Sequence, residues 1–302
     1  MPTVSVIVPN FCHAPYLEER IGSILTQTYR DFELILLDDC STDNSREILE
    51  RYRQHPNVSR IVYNEQNSGS PFSQWEKGIK LATGKYIWIA ESDDFSSPLF
   101  LERSVGVLEA HPECTLVFCS GHVVNKESQI LYEEIPIRKV KSEYSLYKSR
   151  TFLHRYLLRR NAIYNAGLAL FRRDRIPTTN SYTHYRYCGD WLFWILTTSN
   201  GQVAYLREPL NYYRVHGNNT TAESLTTGQK HLETLRILNE AFDILHISYP
   251  TRLSIVGKHL ERIRRAAGSH WNEEPFLSIR KSWQEFYPHP TLAILWHKLY
   301  KG

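Results

Sequence analysis

Three carboxylates crowd four consecutive residues of this chain, with Glu91, Asp93 and Asp94 set around Ser92. Like charges packed this closely raise one another's pKa values unless a cation or hydrogen-bond donors compensate. Hard divalent cations suit the task, because they take carboxylate oxygens and substrate phosphates together. The plainer reading is a turn, with Asp94 or Ser96 capping a helix near Leu99; taken alone it weighs as much. Other polar groups sit in comparable positions, each just after an apolar run: Pro9-Asn10, Asp38-Asp39 and Asn64 through Asn67. Together they point to a metal-bridged phosphate ligand. The usual phosphate cradles are missing, since no GxGxxG follows the first run and no GxxxxGK[ST] occurs anywhere. That argues against a dehydrogenase and against a P-loop kinase.

These residues need a scaffold that gathers run ends at one edge, and the periodicity predicts one. Val4–Pro9, Phe32–Leu37, Val58–Tyr63 and Tyr86–Ala90 read as strands. Between and after them, Tyr16–Gln27, a segment ending near Arg53, Phe72–Ala82 and Ser97–Ala110 read as helices. Leu17, Ile21, Ile24 and Leu25 form one apolar stripe, and Ser41-Thr42-Asp43 supplies N-cap chemistry. Strand–helix alternation at this spacing predicts an α/β, doubly wound, mostly parallel sheet, whose ligands bind beyond the carboxyl ends of the strands.

After residue 111 the rhythm changes. Thr115–Val124 and Ala166–Phe171 read as strands, Glu127–Ser149 as irregular, and Gly189–Thr198 as an aromatic helix. Short strands are expected near Val203–Leu206 and Leu210–Val215, then helix to the end. The simplest partition is a catalytic domain over 1–224, with halves 1–110 and 111–224, and a helical extension over 225–302.

Composition narrows the function. The chain has 302 residues, 42% hydrophobic and 23% charged, which is ordinary globular usage. Its 36 Lys+Arg against 32 Asp+Glu leave +4, spread without a stripe or arm, so no nucleic-acid partner is expected. No run of about 18 uncharged apolar residues exists to span a bilayer. The first strand begins at Val4, leaving no room for a signal peptide. Five cysteines form neither a CxxC pair nor an even set, and read as reduced thiols of a cytoplasmic protein.

Four segments, in order, resemble family 2 glycosyltransferases of the GT-A fold: VSVIVPNFCHAPYLEERIGSILTQTYRDFELILLDDCSTDNS, GKYIWIAESDDF, YCGDWLFW and LNYYRVHGNNTT. The match covers roughly residues 3 to 220. The resemblance implies an inverting, metal-dependent transfer of a sugar from a nucleoside diphosphate, UDP foremost, to a hydroxyl of a glycan or lipid-linked glycan. Surface polysaccharide assembly is its natural setting.

By the same resemblance, Asp39 accepts the N–H of the base, while Pro9, Asn10, Phe11, Asn67, Glu91 and Ser92 line the nucleotide site. Asp93, Asp94 and His216 are the metal candidates for Mn²⁺ or Mg²⁺. Glu91 stands where the family more often has Asp, one methylene shorter. Asp190 is the candidate general base, weighed against an ordinary N-cap. Trp75, Trp191 and Arg214 are candidate contacts to donor or acceptor sugar, the alternatives being a buried Trp75 and an Arg214 that touches phosphate or pairs with a carboxylate, with Trp194 placed in the core. Cys12 departs from the family's usual Asn, and Gln74-Trp75-Glu76 with Lys77 from its Ala-Arg-Asn. A sugar-1-phosphate nucleotidyltransferase and a non-catalytic nucleotide-sugar-binding protein are the alternatives. The first normally carries a glycine-rich loop that VPNFCHAP does not resemble, and the second needs no Asp190. The C-terminal aromatics Trp283, Phe286, Tyr287, Trp296 and Tyr300, among Lys and His, suit either core packing or peripheral attachment at the inner face of a membrane.

Overall fold

The computed structural model describes residues 1–138, 142–216, 228–287 and 290–299. Strand and helix alternate from the start: β1 (Val4–Asn10), α1 (Ala14–Leu25), β2 (Phe32–Asp38), α2 (Ser45–Arg51), β3 (Val58–Tyr63), α3 (Pro71–Leu81) and β4 (Tyr86–Ile89). A two-residue β5 (Phe95–Ser96) and α4 (Phe100–Ala110) follow. Every residue of β1, β2 and β4 is buried, as apolar runs without alternation require. Val4, Val6, Val8, Leu34, Leu36, Tyr86 and Trp88 share one core with Leu17, Ile21 and Ile24 of α1, Ile48 and Leu49 of α2, and Phe100 and Leu108 of α4. The intervening residues face the other way. There Ile7 lies so near α3 that a Cβ on Gly78 would come within 2.4 Å of Ile7 Cγ2. Helices therefore cover both faces, and the sheet is doubly wound.

The chain continues through β6 (Cys114–Val124), β7 (Ile130–Glu134), β8 (Tyr144–Lys148), α5 (Ser149–Arg155), β9 (Ala169–Arg172), α6 (Gly189–Thr197) and β10 (Gln202–Arg214). The strand order is β3-β2-β1-β4-β9-β6-β10-β5, with β7 beside β6 and β8 beside β10. Pairing is parallel across β3-β2-β1-β4 and between β6 and β10, whereas β9 runs antiparallel between β4 and β6.

Three local readings change. The two short strands expected after residue 202 are one strand, β10, whose register shifts on either side of Pro209, which has no N–H to give the ladder. Glu127–Ser149 is not irregular throughout, because β7 pairs antiparallel with β6 and β8 with β10. Their side chains are largely exposed, so no apolar run announced them. The two-residue β5, which pairs with β10, falls in a stretch that had no strand signal.

Two compact units result, one of Met1–Phe152 with Ala162–His216, the other of Leu153–Asn161 with Gly217–Gly302. The boundary expected near residue 224 lies outside the described residues. The second unit holds α7 (Gln229–Ile244), α8 (Tyr249–Ala267), α9 (Phe276–Phe286) and α10 (Pro290–Leu299). Trp283 is fully buried there against His259, whereas Leu292, Leu295, Trp296 and Leu299 of α10 are exposed. Tyr300 lies outside the described residues. Among these, no helix is long and apolar enough to cross a membrane.

Candidate functional site

Parallel pairing at one level (Asn10 beside Asp38, Ile7 beside Ile89) brings the carboxyl ends of β1, β2 and β4 to one edge. The four residues after Ala90 emerge at this edge. Asp93 meets His216, which follows β10, with His216 Nε2 3.1 Å from Asp93 Oδ2. His13, in the loop between β1 and α1, joins them: one ligand atom from each of His13, Asp93 and His216 lies within 4.8 Å of the others. His13 Nδ1 is 2.8 Å from Ser92 Oγ. Two imidazoles and a carboxylate at this spacing are a donor set that a divalent metal ion fits.

Asp94, expected among the metal ligands, points elsewhere. It is fully buried, with Oδ2 accepting from Asn165 Nδ2 at 2.7 Å and Oδ1 from the Arg214 backbone N–H at 2.8 Å. Arg214, a candidate for a sugar or phosphate contact or for pairing with a carboxylate, pairs with Glu19 and acts as a clamp. Its buried guanidinium donates to Asp93 O, Asn125 O, Lys126 O, Ser128 Oγ and Glu19 Oε2. It thereby fixes the strand end that presents His216.

The acidic tip carries its own counter-charge. Arg20 of α1 is fully buried, donates Nε to Glu91 O at 2.8 Å and lies over the Trp88 ring at 5.3 Å. Its two terminal nitrogens have no hydrogen-bond partner among the described residues. Burial lowers its pKa, against the opposing pull of Asp94, Asp93 and Glu91. Burial, then the charges of Asp93 and Asp94, push Glu91 up to about 8, against the Trp75 hydrogen bond and Arg20. Asp94 is raised by burial and by Asp93. In Asp93 burial is outweighed by the His216 hydrogen bond and the charges of His13 and His216, so that carboxyl is held below its ordinary value.

A pH dependence follows. Between the ordinary 4.5 of a free Glu and about 8, folded protein keeps a proton on Glu91 that unfolded chain has released. The folded state binds more protons, so stability falls as pH rises through that window and levels off above it. Metal-free protein is expected to melt progressively lower from about pH 5 to about pH 8, and Glu91→Gln to show a shallower slope. Melting curves across that range, with chelator, check both; equal slopes would remove Glu91 as the cause.

Asp39 sits where β2 ends and is buried. It is already well supplied with donors: Asn64 Nδ2, the Ser68 N–H and Oγ, and Gln74 Nε2. These donors take up most of the roughly four lone-pair sites a carboxylate offers. Lys77 donates to Asn64 Oδ1 and so props this loop. Asn67 folds back, donating to Asp39 O and accepting from the Gly69 N–H. Pro9 is buried, and Asn10 donates to Asp38 Oδ1 and Ser41 Oγ. Phe11, 47% exposed, presents an open ring beside this loop cluster. Cys12 accepts from the Thr42 N–H at its sulfur.

The same edge reaches α6 through one tryptophan. Trp75 donates Nε1 to Glu91 Oε1 at 3.0 Å and packs against Phe193 and Trp194. Gly189 lets α6 begin this close to α3, since a Cβ there would be 2.3 Å from Tyr182 O and 2.5 Å from Phe72 Cδ2. Cys188 takes the N-cap position and Asp190 lies in the first turn, partly exposed. Trp75 and Trp191 are 2% and 4% exposed, so neither presents the open stacking face expected of a sugar contact. They brace the site from within.

Sequence reasoning missed His13 and Arg20. His13 stands three residues past a strand end already ranked as ligand-facing. Arg20 lies on the apolar stripe of α1, between Leu17 and Ile24, where a cation needs a buried partner.

Known proteins agree with this architecture. Residues 5–176 match the family model for glycosyl transferase family 2. A Bacillus subtilis protein described as putative teichuronic acid biosynthesis glycosyltransferase TuaG is 39% identical over 93 residues, 31% of this chain and 36% of that protein. The chain thus spans about a third of TuaG. An uncharacterised glycosyltransferase of Haemophilus influenzae is 28% identical over 231 residues, 73% of this chain and 68% of its own length. Among solved structures, Staphylococcus aureus TarS residues 1–349 in complex with UDP-GlcNAc superposes with a TM-score of 0.70 at 19% identity, covering 96% of this chain and 81% of that one.

Proposed function

The chain belongs to glycosyl transferase family 2, and on that premise we propose that it moves a hexose or N-acetylhexosamine, with inversion, from a UDP-sugar to a hydroxyl of a glycan or lipid-linked glycan in cell-surface polysaccharide assembly. The observation that carries this reading is the meeting of His13, Asp93 and His216 at the carboxyl edge that also holds Asp39. The UDP-GlcNAc complex of TarS and the teichuronic acid assignment of TuaG support the donor and the setting.

Asp39, Asn10 and Phe11 hold and cover the base. Asp93 and His216 would hold a divalent ion, whose charge offsets that of the departing diphosphate. Asp190 takes the proton of the acceptor hydroxyl on a carboxylate oxygen as that hydroxyl attacks the anomeric carbon. The leaving diphosphate needs no proton, so one carboxylate suffices where a glycosidase needs two. Trp75 fixes α6 relative to Glu91 and keeps the two halves of the site in register.

The test is a panel of UDP- and GDP-sugars with Mn²⁺, read first as thermal stabilisation and then as diphosphate release. UDP-sugars should stabilise the protein and release UDP slowly, faster with a glycan acceptor. If no nucleoside diphosphate stabilises it, the reading fails. The exposed leucines and Trp296 of α10 support peripheral attachment to a membrane. Trp296→Glu should then reduce sedimentation with anionic vesicles, and unchanged sedimentation would reject that attachment.

A further inference from the structure

We propose that His13 is a third protein ligand of the metal ion and that the resulting two-histidine, one-carboxylate set selects Mn²⁺, or another transition ion such as Co²⁺, over Mg²⁺. This rests on the transferase reading and sharpens the ion it uses.

The ligand atoms of His13, Asp93 and His216 already lie within 4.8 Å of one another, close enough to share a single ion after small side-chain adjustments. They come from three separate places in the chain: the loop after β1, the loop after β4 and the residue just past Val215 at the end of β10. Nothing about helix or strand formation requires those three to meet. Each histidine is also oriented by neighbours. Ser92 Oγ lies 2.8 Å from His13 Nδ1, and in the tautomer that donates to Ser92 the Nε2 lone pair is left for a ligand. The Tyr16 ring packs against both imidazoles, and the Arg214 guanidinium lies over Tyr16 at 4.6 Å. Arg214 also donates to the backbone carbonyl of Asp93, so the main chain that carries this carboxylate and the tyrosine that steadies the histidines are both held by the same buried cation.

The donor chemistry decides the ion. Mg²⁺ prefers an all-oxygen octahedron and gives up water reluctantly. Imidazole nitrogens favour first-row transition ions, and three protein ligands leave open positions for diphosphate oxygens. The nearby carboxylates are already engaged, both oxygens of Asp94 by Asn165 and the Arg214 N–H and one of Glu91 by Trp75.

The test titrates MnCl₂, CoCl₂ and MgCl₂ by calorimetry into the full chain with UDP present, without turnover. Wild type should bind Mn²⁺ and Co²⁺ more tightly than Mg²⁺. His13→Ala and His13→Asn should each weaken Mn²⁺ and Co²⁺ by roughly tenfold or more, at least what loss of an outer-shell partner costs, while Mg²⁺ affinity changes less. The visible absorption of the Co²⁺ form should shift when His13 is replaced. Unchanged Mn²⁺ affinity and an unchanged Co²⁺ spectrum in both variants would overturn the role of His13. Asp93→Ala separates this from the wider reading: if it too leaves Mn²⁺ affinity unchanged, metal binding at this edge is itself wrong.

Discussion

Asp190→Asn is expected to lower sugar transfer by about 10²–10⁴-fold, the range a positioned general base supplies, with the affinity for UDP unchanged. The substitution keeps shape and removes the ability to accept a proton. Asp190 occupies the first turn of α6, where the helix dipole stabilises negative charge. A helix-capping role predicts something else. The cap position falls on Cys188, and losing a first-turn charge costs only about 0.3–1 kcal/mol of stability. Transfer rate and melting temperature, measured together, therefore separate the roles. A base gives a large drop in rate with a small drop in melting. A purely structural aspartate gives a drop in melting with a rate that recovers at lower temperature. Turnover within about threefold of wild type would remove Asp190 from the chemistry.

The position of such residues was legible where the run that carried them was apolar and buried. β1, β2 and β4 are buried along their whole length, so their ends, and with them Asn10, Asp39 and the Glu91–Asp94 tip, could be ranked before any contact was known. Direction was not legible. Asp93 and Asp94 are adjacent, yet one turns toward His216 and the other into a pocket made by Asn165 and Arg214, residues far along the chain. Nor could the burial of both tryptophans of GDWLFWILT be read from its pattern. Trp191, Leu192, Phe193, Trp194 and Ile195 are all buried, so that helix has no solvent side over this stretch for periodicity to reveal. His13 lies in an irregular loop where a histidine leaves no periodic mark. Arg20 did leave one, as the single cation within the stripe of Leu17, Ile21 and Ile24.

That cation is the second large effect. Arg20→Met should destabilise metal-free protein above pH 8, where the cost of stripping buried charge of its partner, about 3–5 kcal/mol, outweighs what the substitution relieves. Two opposing terms are at work. Methionine relieves the burial of two terminal nitrogens that have no partner among the described residues, a gain of about 1–3 kcal/mol. Against it, Glu91, Asp93 and Asp94 lose a buried charge that attracts all three. Which term wins depends on how many of those carboxyls are ionised. Above the value near 8 at which Glu91 gives up its proton the loss dominates. Near about pH 5, with Glu91 and Asp94 protonated, the two should nearly cancel. Urea unfolding with chelator at both pH values checks the sign, and saturating Mn²⁺ should recover part of the loss at high pH by binding the folded state. Were the loss equal at both pH values and indifferent to Mn²⁺, Arg20 would be packing against Trp88 and nothing more. A pH-dependent loss that the ion relieves would instead mean that α1 carries a permanent substitute for part of the metal's charge, which lets the acidic tip fold before any nucleotide arrives.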